Sequence, residues 1–265
     1  MNISFSTWHP AIKKRRSRRR FDPNLPITAE TLAALEKVCN KFAPFPSARS
    51  RLVTGSAESV FKGIIGSYGK VKGTPAFIAF IGNTDDPFVQ EKVGYTGEAI
   101  ILEATALGLN TCWVAGFFRP EMVTSLIEVT EKEQVLAITP VGYAREHESW
   151  EEKLMSRFGR SHNRLPLSKL VRGLPKEQWP NWVSVSLEAA RLAPSAVNRQ
   201  PWGFNVNDDN ITVFIRTSGP EFNVSKRLDC GIAMLHLEIA AANSGSKGEW
   251  EFLPSPQVAK FKIHP

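Results

Sequence analysis

Cysteine is scarce in this chain. Cys39, Cys112 and Cys230 are odd in number and far apart, which excludes a disulfide framework and a cysteine-based zinc motif. Long apolar runs are also missing. The longest, Ala76–Ile81 and Trp113–Phe118, are strand-sized, whereas a bilayer span needs about 20 residues. The opening MNISFSTWHP lacks the charged-then-apolar layout of a signal peptide. A cytoplasmic protein without membrane association is the expectation. Catalytic signatures are equally thin: the chain has no G-x-G-x-x-G, Walker A, H-E-x-x-H or G-x-S-x-G pattern. His9, His147, His162, His236 and His264 are scattered, and they form neither a metal set nor a nucleophile–base pair. His236 reads as a helix-packing residue, and His147 and His162 as solvated ones. No catalytic side chain is expected; an enzyme with this sequence would take its chemistry from a bound cofactor.

Against these absences stand 265 residues, 42% of them hydrophobic, enough for one large domain or two ordinary ones. The net charge of +7 comes from 33 Lys and Arg against 26 Asp and Glu. It is not spread out. Lys13-Lys14-Arg15-Arg16-Ser17-Arg18-Arg19-Arg20 holds seven basic residues and no acid; removing those seven leaves 26 of each sign. A nucleic-acid binder usually spreads its charge over a face, so the basic balance alone is not such a signature.

Periodicity places helices at 28–43, with Thr28 as cap, at 89–107, 119–129, 149–158, 181–192 and 227–242. Strands are expected at 50–54, 74–81, 111–118, 135–143, 202–206 and 211–216, with a last one at 250–253. Gly and Pro punctuate 159–180, which reads as a linker. At a constant shift of 137 residues, Gly94 falls on Gly231, Gly108 on Gly245 and Trp113 on Trp250, while Ile100, Leu102 and Ala104 fall on Leu237, Ile239 and Ala241. That unbroken register points to two related halves: 1–160, a linker at 161–180, and a shorter second half at 181–265.

Two segments suggest binding. Arg15-Arg16-Ser17-Arg18-Arg19-Arg20-Phe21 offers guanidinium groups and a hydroxyl suited to a phosphate, or alternatively a solvated or nucleic-acid-binding arm. Pro194-Ser195-Ala196-Val197-Asn198-Arg199-Gln200-Pro201-Trp202 follows a helix and carries amides able to donate and accept at the edge of a heterocycle; the alternative is a capped helix exit with a Pro-Trp turn.

Together these segments resemble the two parts of the FMN site in the nitroreductase family, R-R-S-x-R-x-F and P-S-x-x-N-x-Q-P-W. Trp113-Val114-Ala115-Gly116-Phe117 is similar to that family's W-x-G-G-F turn, and Gly142-Tyr143-Ala144 to its G-Y-P element. The resemblance implies an α+β, nitroreductase-like fold. In the ordinary family both motifs lie in one half-length subunit, and a homodimer shares two sites. Here the first half has Pro46-Ser47-Ala48-Arg49-Ser50-Arg51-Leu52 in place of the loop, with Ser50 for the Asn and Leu52 for the Gln. The second half keeps the loop but has no Arg motif before it. Each half lacks what the other retains. This is similar to a nitroreductase subgroup in which one chain mimics the usual dimer, an intramolecular pseudo-dimer with one working site.

Carried over, the resemblance assigns Arg15, Arg16 and Ser17 to the FMN phosphate and Arg19 to the N1–C2=O side of the flavin. Pro194, Ser195, Asn198 and Gln200 supply the second-half loop, with Gln200 partly a loop support. Ala115 and Gly116 let the backbone approach the N5 edge. Arg164 is a second phosphate ligand, with Arg157 and Arg160 as competitors. Phe117 and Phe118 are candidates for shaping the pocket face, with a core position the equal alternative for Phe118. The implied reaction is ping-pong hydride transfer from NAD(P)H through FMN to nitroaromatic or quinone-type acceptors, with no metal, in a monomer for which further dimerisation stays open. The rival readings are an FMN-binding protein with little turnover and, less favoured, a nucleic-acid binder using residues 13–20.

Overall fold

The computed structural model describes residues 5–55, 57–61, 71–145, 163–219, 221 and 223–264. The expected 149–158 helix, His147, His162, Arg157 and Arg160 lie outside these residues. The chain first forms α1 (Phe5–Lys14), α2 (Ala29–Lys41), β1 (Ala48–Thr54), α3 (Ala57–Phe61), β2 (Ala76–Asn83), α4 (Val89–Ala106), β3 (Asn110–Thr111), α5 (Pro120–Thr124) and β4 (Glu133–Gly142). It continues through α6 (Leu167–Leu170), β5 (Val171–Gly173), α7 (Asn181–Ala190), β6 (Trp202–Val206), β7 (Asn210–Ile215), α8 (Lys226–Asn243), β8 (Gly248–Phe252) and β9 (Gln257–Ile263). Local chemistry sets many of these limits. Thr28 caps α2 by accepting the Thr31 N–H at 3.2 Å, and Leu35, Val38 and Cys39 form its buried stripe.

The strands make two sheets. One has the order β1-β2-β4-β3, the other β5-β6-β7-β9-β8. Strands β6, β7, β9 and β8 stand in the same order as β1, β2, β4 and β3, and both sets are antiparallel. Strand β5, which follows the first set in sequence, pairs in parallel with β6 at the edge of the second.

The 137-residue register survives in three dimensions. Helices α4 and α8 each have 18 residues and start and stop 137 positions apart. Gly108 and Gly245 close them with φ values of 82° and 90°, the left-handed conformation glycine adopts freely at helix ends. Where the helices cross, Gly94 packs against the Leu228 carbonyl and Gly231 against the Glu91 carbonyl. Leu228 is the counterpart of Glu91, so the crossing looks alike from either helix. Arg227 adds a part-buried ion pair to Glu91, with Nε 2.9 Å from Oε2.

Several expectations change. The expected strand at 111–118 is strand only at its start. The Trp113 indole leaves the sheet to bond Glu98 and to pack on Phe80, and beyond it only Val114 exchanges backbone bonds, with Ile138. The helix expected over 119–129 shrinks to α5. Residues 163–180, expected as linker, carry α6, β5 and a buried Leu170; Gly173 is needed because its backbone abuts the Val206 carbonyl. Strand β8 is not the last, since β9 follows it, and α1 was not expected. Among the described residues no helix is long and apolar enough to cross a membrane.

Candidate functional site

The basic segment is not a free arm. After α1 ends at Lys14, the chain runs along the edge of the first sheet. Arg18 N–H bonds the Thr111 carbonyl at 2.9 Å, Phe21 N–H bonds Lys72 O at 2.9 Å, and Asp22 N–H bonds Tyr143 O at 2.9 Å. Phe21 is buried and anchors the run. Tied in this way, Arg15 turns inward, only 8% exposed, while Arg16 and Ser17 stay exposed and Arg19 half-buried. Arg15 Nη1 donates to Ser17 Oγ at 3.2 Å. Its Nε lies 4.0 Å from Glu98 Oε1 and is buried without a hydrogen-bond partner among the described residues. Burial lowers the Arg15 pKa, with Glu98 opposing.

The second segment is a strained loop. Val197, Asn198 and Gln200 have φ values of 50°, 55° and 45°. Asn tolerates that region; a β-branched Val there costs on the order of 1–3 kcal/mol. A hydrogen-bond cage offsets the cost. Ser195 Oγ accepts the Gln200 N–H at 2.9 Å, and Asp229 Oδ1 on α8 accepts the Ala196 N–H at 3.0 Å. Arg199 binds Asp229 Oδ2 at 2.6 Å and the carbonyls of Glu221 and Val224 at 2.8 Å. Pro194 is buried beneath the loop. Of the two roles open to Gln200, its contacts are those of a loop support. It is 5% exposed, its Oε1 accepts the Leu165 N–H at 2.8 Å, and its Nε2 donates to Asn163 O at 3.1 Å. Its amide holds residues 163–165 against the loop.

Burial pushes the Asp229 carboxyl up to about 6, against the pull of Arg199. A folded-state value above the ordinary 3.8 favours the protonated native form. Its contribution to stability is therefore full below about pH 3.8 and is lost as pH rises through about 6. Urea midpoints of the wild type, referred to Asp229→Asn, should fall across that window; a flat difference would remove Asp229 from the pH response.

The two segments meet at Arg164. Its Nη1 donates to Asn198 Oδ1 at 2.9 Å, and its guanidinium reaches the Leu192 carbonyl at 3.3 Å. Burial first, then the charges of Arg15, Arg16 and Arg191, draw its pKa down to about 10. Arg164, bonded to the second-half loop, thus lies close enough to Arg15 and Arg16 of the first half to feel their charge. Ala115, Gly116 and Phe118 line a separate cleft of ≈ 260 Å³ with Gln134, Asn223 and Ser225. Phe117 is 41% exposed, while Phe118 also packs against a small apolar core.

The corresponding place in the other half is closed. At the 137-residue shift, Ala115 falls on Phe252. That ring meets Phe45 edge-on at 5.3 Å between centroids and Phe88 face-on at 5.8 Å, with Lys92 Nζ 4.7 Å above its centroid. The first-half relative of the loop enters β1 at Ala48 and makes no left-handed turn.

Sequence reasoning missed Glu98, Asp229 and Asn163, which hold the site's parts together. A carboxylate inside an otherwise apolar helical stripe was the available signal for Glu98 and Asp229; the carbonyl of Asn163 gave none.

Two sheets of matching antiparallel strand order, packed with helices, define an α+β protein. The chain belongs to the nitroreductase family: a family profile described as "Putative TM nitroreductase" matches residues 7–241. A structure described as a "putative nitroreductase" from Thermotoga maritima msb8 superimposes with a TM-score of 0.65 at 19% identity, covering 97% of this chain and 94% of that one. A nitroreductase with bound FMN from Bacteroides fragilis NCTC 9343 gives 0.43 at 20% identity, over 56% of this chain and 91% of that one. A nitroreductase family protein from Clostridium novyi NT gives 0.45 at 19%, over 52% and 86%. No curated protein sequence matches the chain.

Proposed function

We propose that this protein is an FMN-dependent oxidoreductase passing hydride from NAD(P)H to nitroaromatic or quinone-type acceptors in ping-pong fashion. The observation that carries the reading is the convergence of Arg15, Arg16 and Arg164 across the two halves. Burial first, and then the charges of Arg15 and Arg16, lower the Arg164 pKa, and a phosphate dianion would offset both. The orphaned, buried Arg15 Nε fits the same purpose.

The chemistry supplied by the bound flavin is hydride acceptance and donation, which relieves the protein of any acid or base. Arg15, Arg16 and Arg164 hold the phosphate, and Ser17 adds a hydroxyl donor. Arg19 would supply a further cation at the flavin, of the kind that stabilises negative charge on it. Pro194, Ser195 and Asn198 form the wall supplied by residues 181–265, with Gln200 acting through the loop. Ala115 and Gly116 are small enough for close backbone approach. Residues 1–160 and 181–265 act as the two halves of one pseudo-dimer, joined through 161–180. The packing around Phe252 supports one site per chain, not two.

A visible spectrum of the purified protein, followed by FMN titration, tests this. One FMN per chain is expected. Absence of binding would overturn the reading, and two per chain would overturn the single-site organisation. NAD(P)H oxidation with a quinone or nitroaromatic then tests turnover; bound FMN without it would reduce the protein to a flavin carrier.

A further inference from the structure

Glu98 on α4 and His236 on α8 form a pair with 0% exposure on either side chain, behind the cofactor grip and outside it. His236 Nδ1 lies 3.1 Å from the Ala189 carbonyl, and Nε2 lies 2.9 Å from Glu98 Oε1. A carbonyl only accepts, so Nδ1 carries a proton. The contact to Glu98 then needs a second proton, on Nε2 or on Oε1, because two lone pairs do not bond. The bridge holds one proton more than a neutral imidazole beside a carboxylate would.

Three arms of the proposed site end on this pair. Trp113, two residues before Ala115, donates its indole N–H to Glu98 Oε2 at 2.7 Å. Arg15 faces Glu98 Oε1 at 4.0 Å. Ala189, which accepts from His236, lies in the last turn of α7, directly ahead of the loop that carries Asn198. The other half offers an internal control. Glu238 on α8 accepts from Trp250, the counterpart of Trp113, at 2.7 Å and from the Tyr95 hydroxyl at 2.6 Å. There the donors are an indole and a phenol, where the flavin side has an indole, an imidazole and a facing guanidinium.

We propose that Glu98 and His236 are a proton-sharing positioning pair that fixes Arg15, the Trp113 turn and the Asn198 loop relative to one another. The pair sets the cofactor grip without touching the cofactor. This rests on the FMN reading. The physical cause is geometric: His236 holds the carboxylate across the helix crossing, and the carboxylate holds the indole and keeps the guanidinium inward. Without His236 the buried carboxylate regains its lost partner by drawing in Arg15, away from the phosphate.

The test measures FMN affinity by flavin fluorescence quenching, alongside urea unfolding. Glu98→Gln, which keeps an acceptor for Trp113 but loses the charge facing Arg15, should weaken FMN binding about tenfold, as should His236→Leu. His236→Gln, whose amide can donate to Glu98, should recover to within about threefold of wild type. Glu238→Gln should stay within about twofold while losing comparable stability, which a merely structural role for Glu98 would not predict. Equal affinity losses in Glu98→Gln and Glu238→Gln, or no loss in Glu98→Gln, would overturn the proposal. Proton NMR of the wild type without FMN provides a separate readout. An exchange-protected, far-downfield bridging proton is expected, absent in His236→Leu; its absence from the wild type would also overturn the pair. Wild-type protein that takes up no FMN would instead overturn the functional reading, with the bridging proton still deciding the pair.

Discussion

Arg15→Ala should raise the Kd for FMN by about 100-fold while leaving the cofactor-free protein folded. A hydrogen bond to a charged group contributes about 1.5–3 kcal/mol, and each 1.4 kcal/mol is about tenfold in Kd. Arg15 belongs at the upper end because it is buried and its charge acts directly on Arg164. Relief of the repulsion among adjacent cations offsets part of the cost of leaving the buried Glu98 carboxylate without the cation that faces it at 4.0 Å. Asn198→Ala should cost about tenfold, from the neutral end of the range and from the loss of the Arg164 tether. Calorimetric titration of both variants would check this. Unchanged affinity in Asn198→Ala would take the second-half loop out of the site, and unchanged affinity in Arg15→Ala would sink the phosphate assignment.

Gly94→Leu should unfold the protein or cost more than about 3 kcal/mol, the upper range for overpacking a filled core. The α4–α8 crossing allows no side chain at this point, because a Cβ on Gly94 would run into the Leu228 carbonyl and one on Gly231 into that of Glu91. Both obstacles are backbone, so neither can rotate away. Gly108→Ala is the matched comparison. It lies at φ 82° with open space around it, so only backbone strain of about 1 kcal/mol is expected. Urea midpoints for the pair decide the matter, and a Gly94→Leu protein as stable as Gly108→Ala would mean the helices can separate freely.

The long helices were legible because their apolar and glycine positions repeat at a fixed shift and are satisfied locally. Helix α1 was not, because Pro10 sits inside it and Lys13 and Lys14 read as part of a charge run. Its stability comes from burying Trp8, Ala11 and Ile12 against distant helices. Strand β9 escaped because Lys260 and Lys262 dilute its apolar pattern, although Val258 and Phe261 are fully buried. The Arg motif and the loop were legible as chemistry. That Arg164 binds the loop was visible only as a weak candidate, since the contact depends on how residues 163–165 lie against Gln200. His236 read as a packing residue and is one by position, but its two ring nitrogens are both engaged.

The ring cluster around Phe252 has a consequence for how such a chain can change over time. In an assembly of two identical subunits every substitution is copied onto both sides of the axis, so a bulky ring that blocks one pocket blocks the other. One continuous polypeptide escapes that rule. Phe252 can fill its side while Ala115 keeps the other open, and each pocket answers to selection separately.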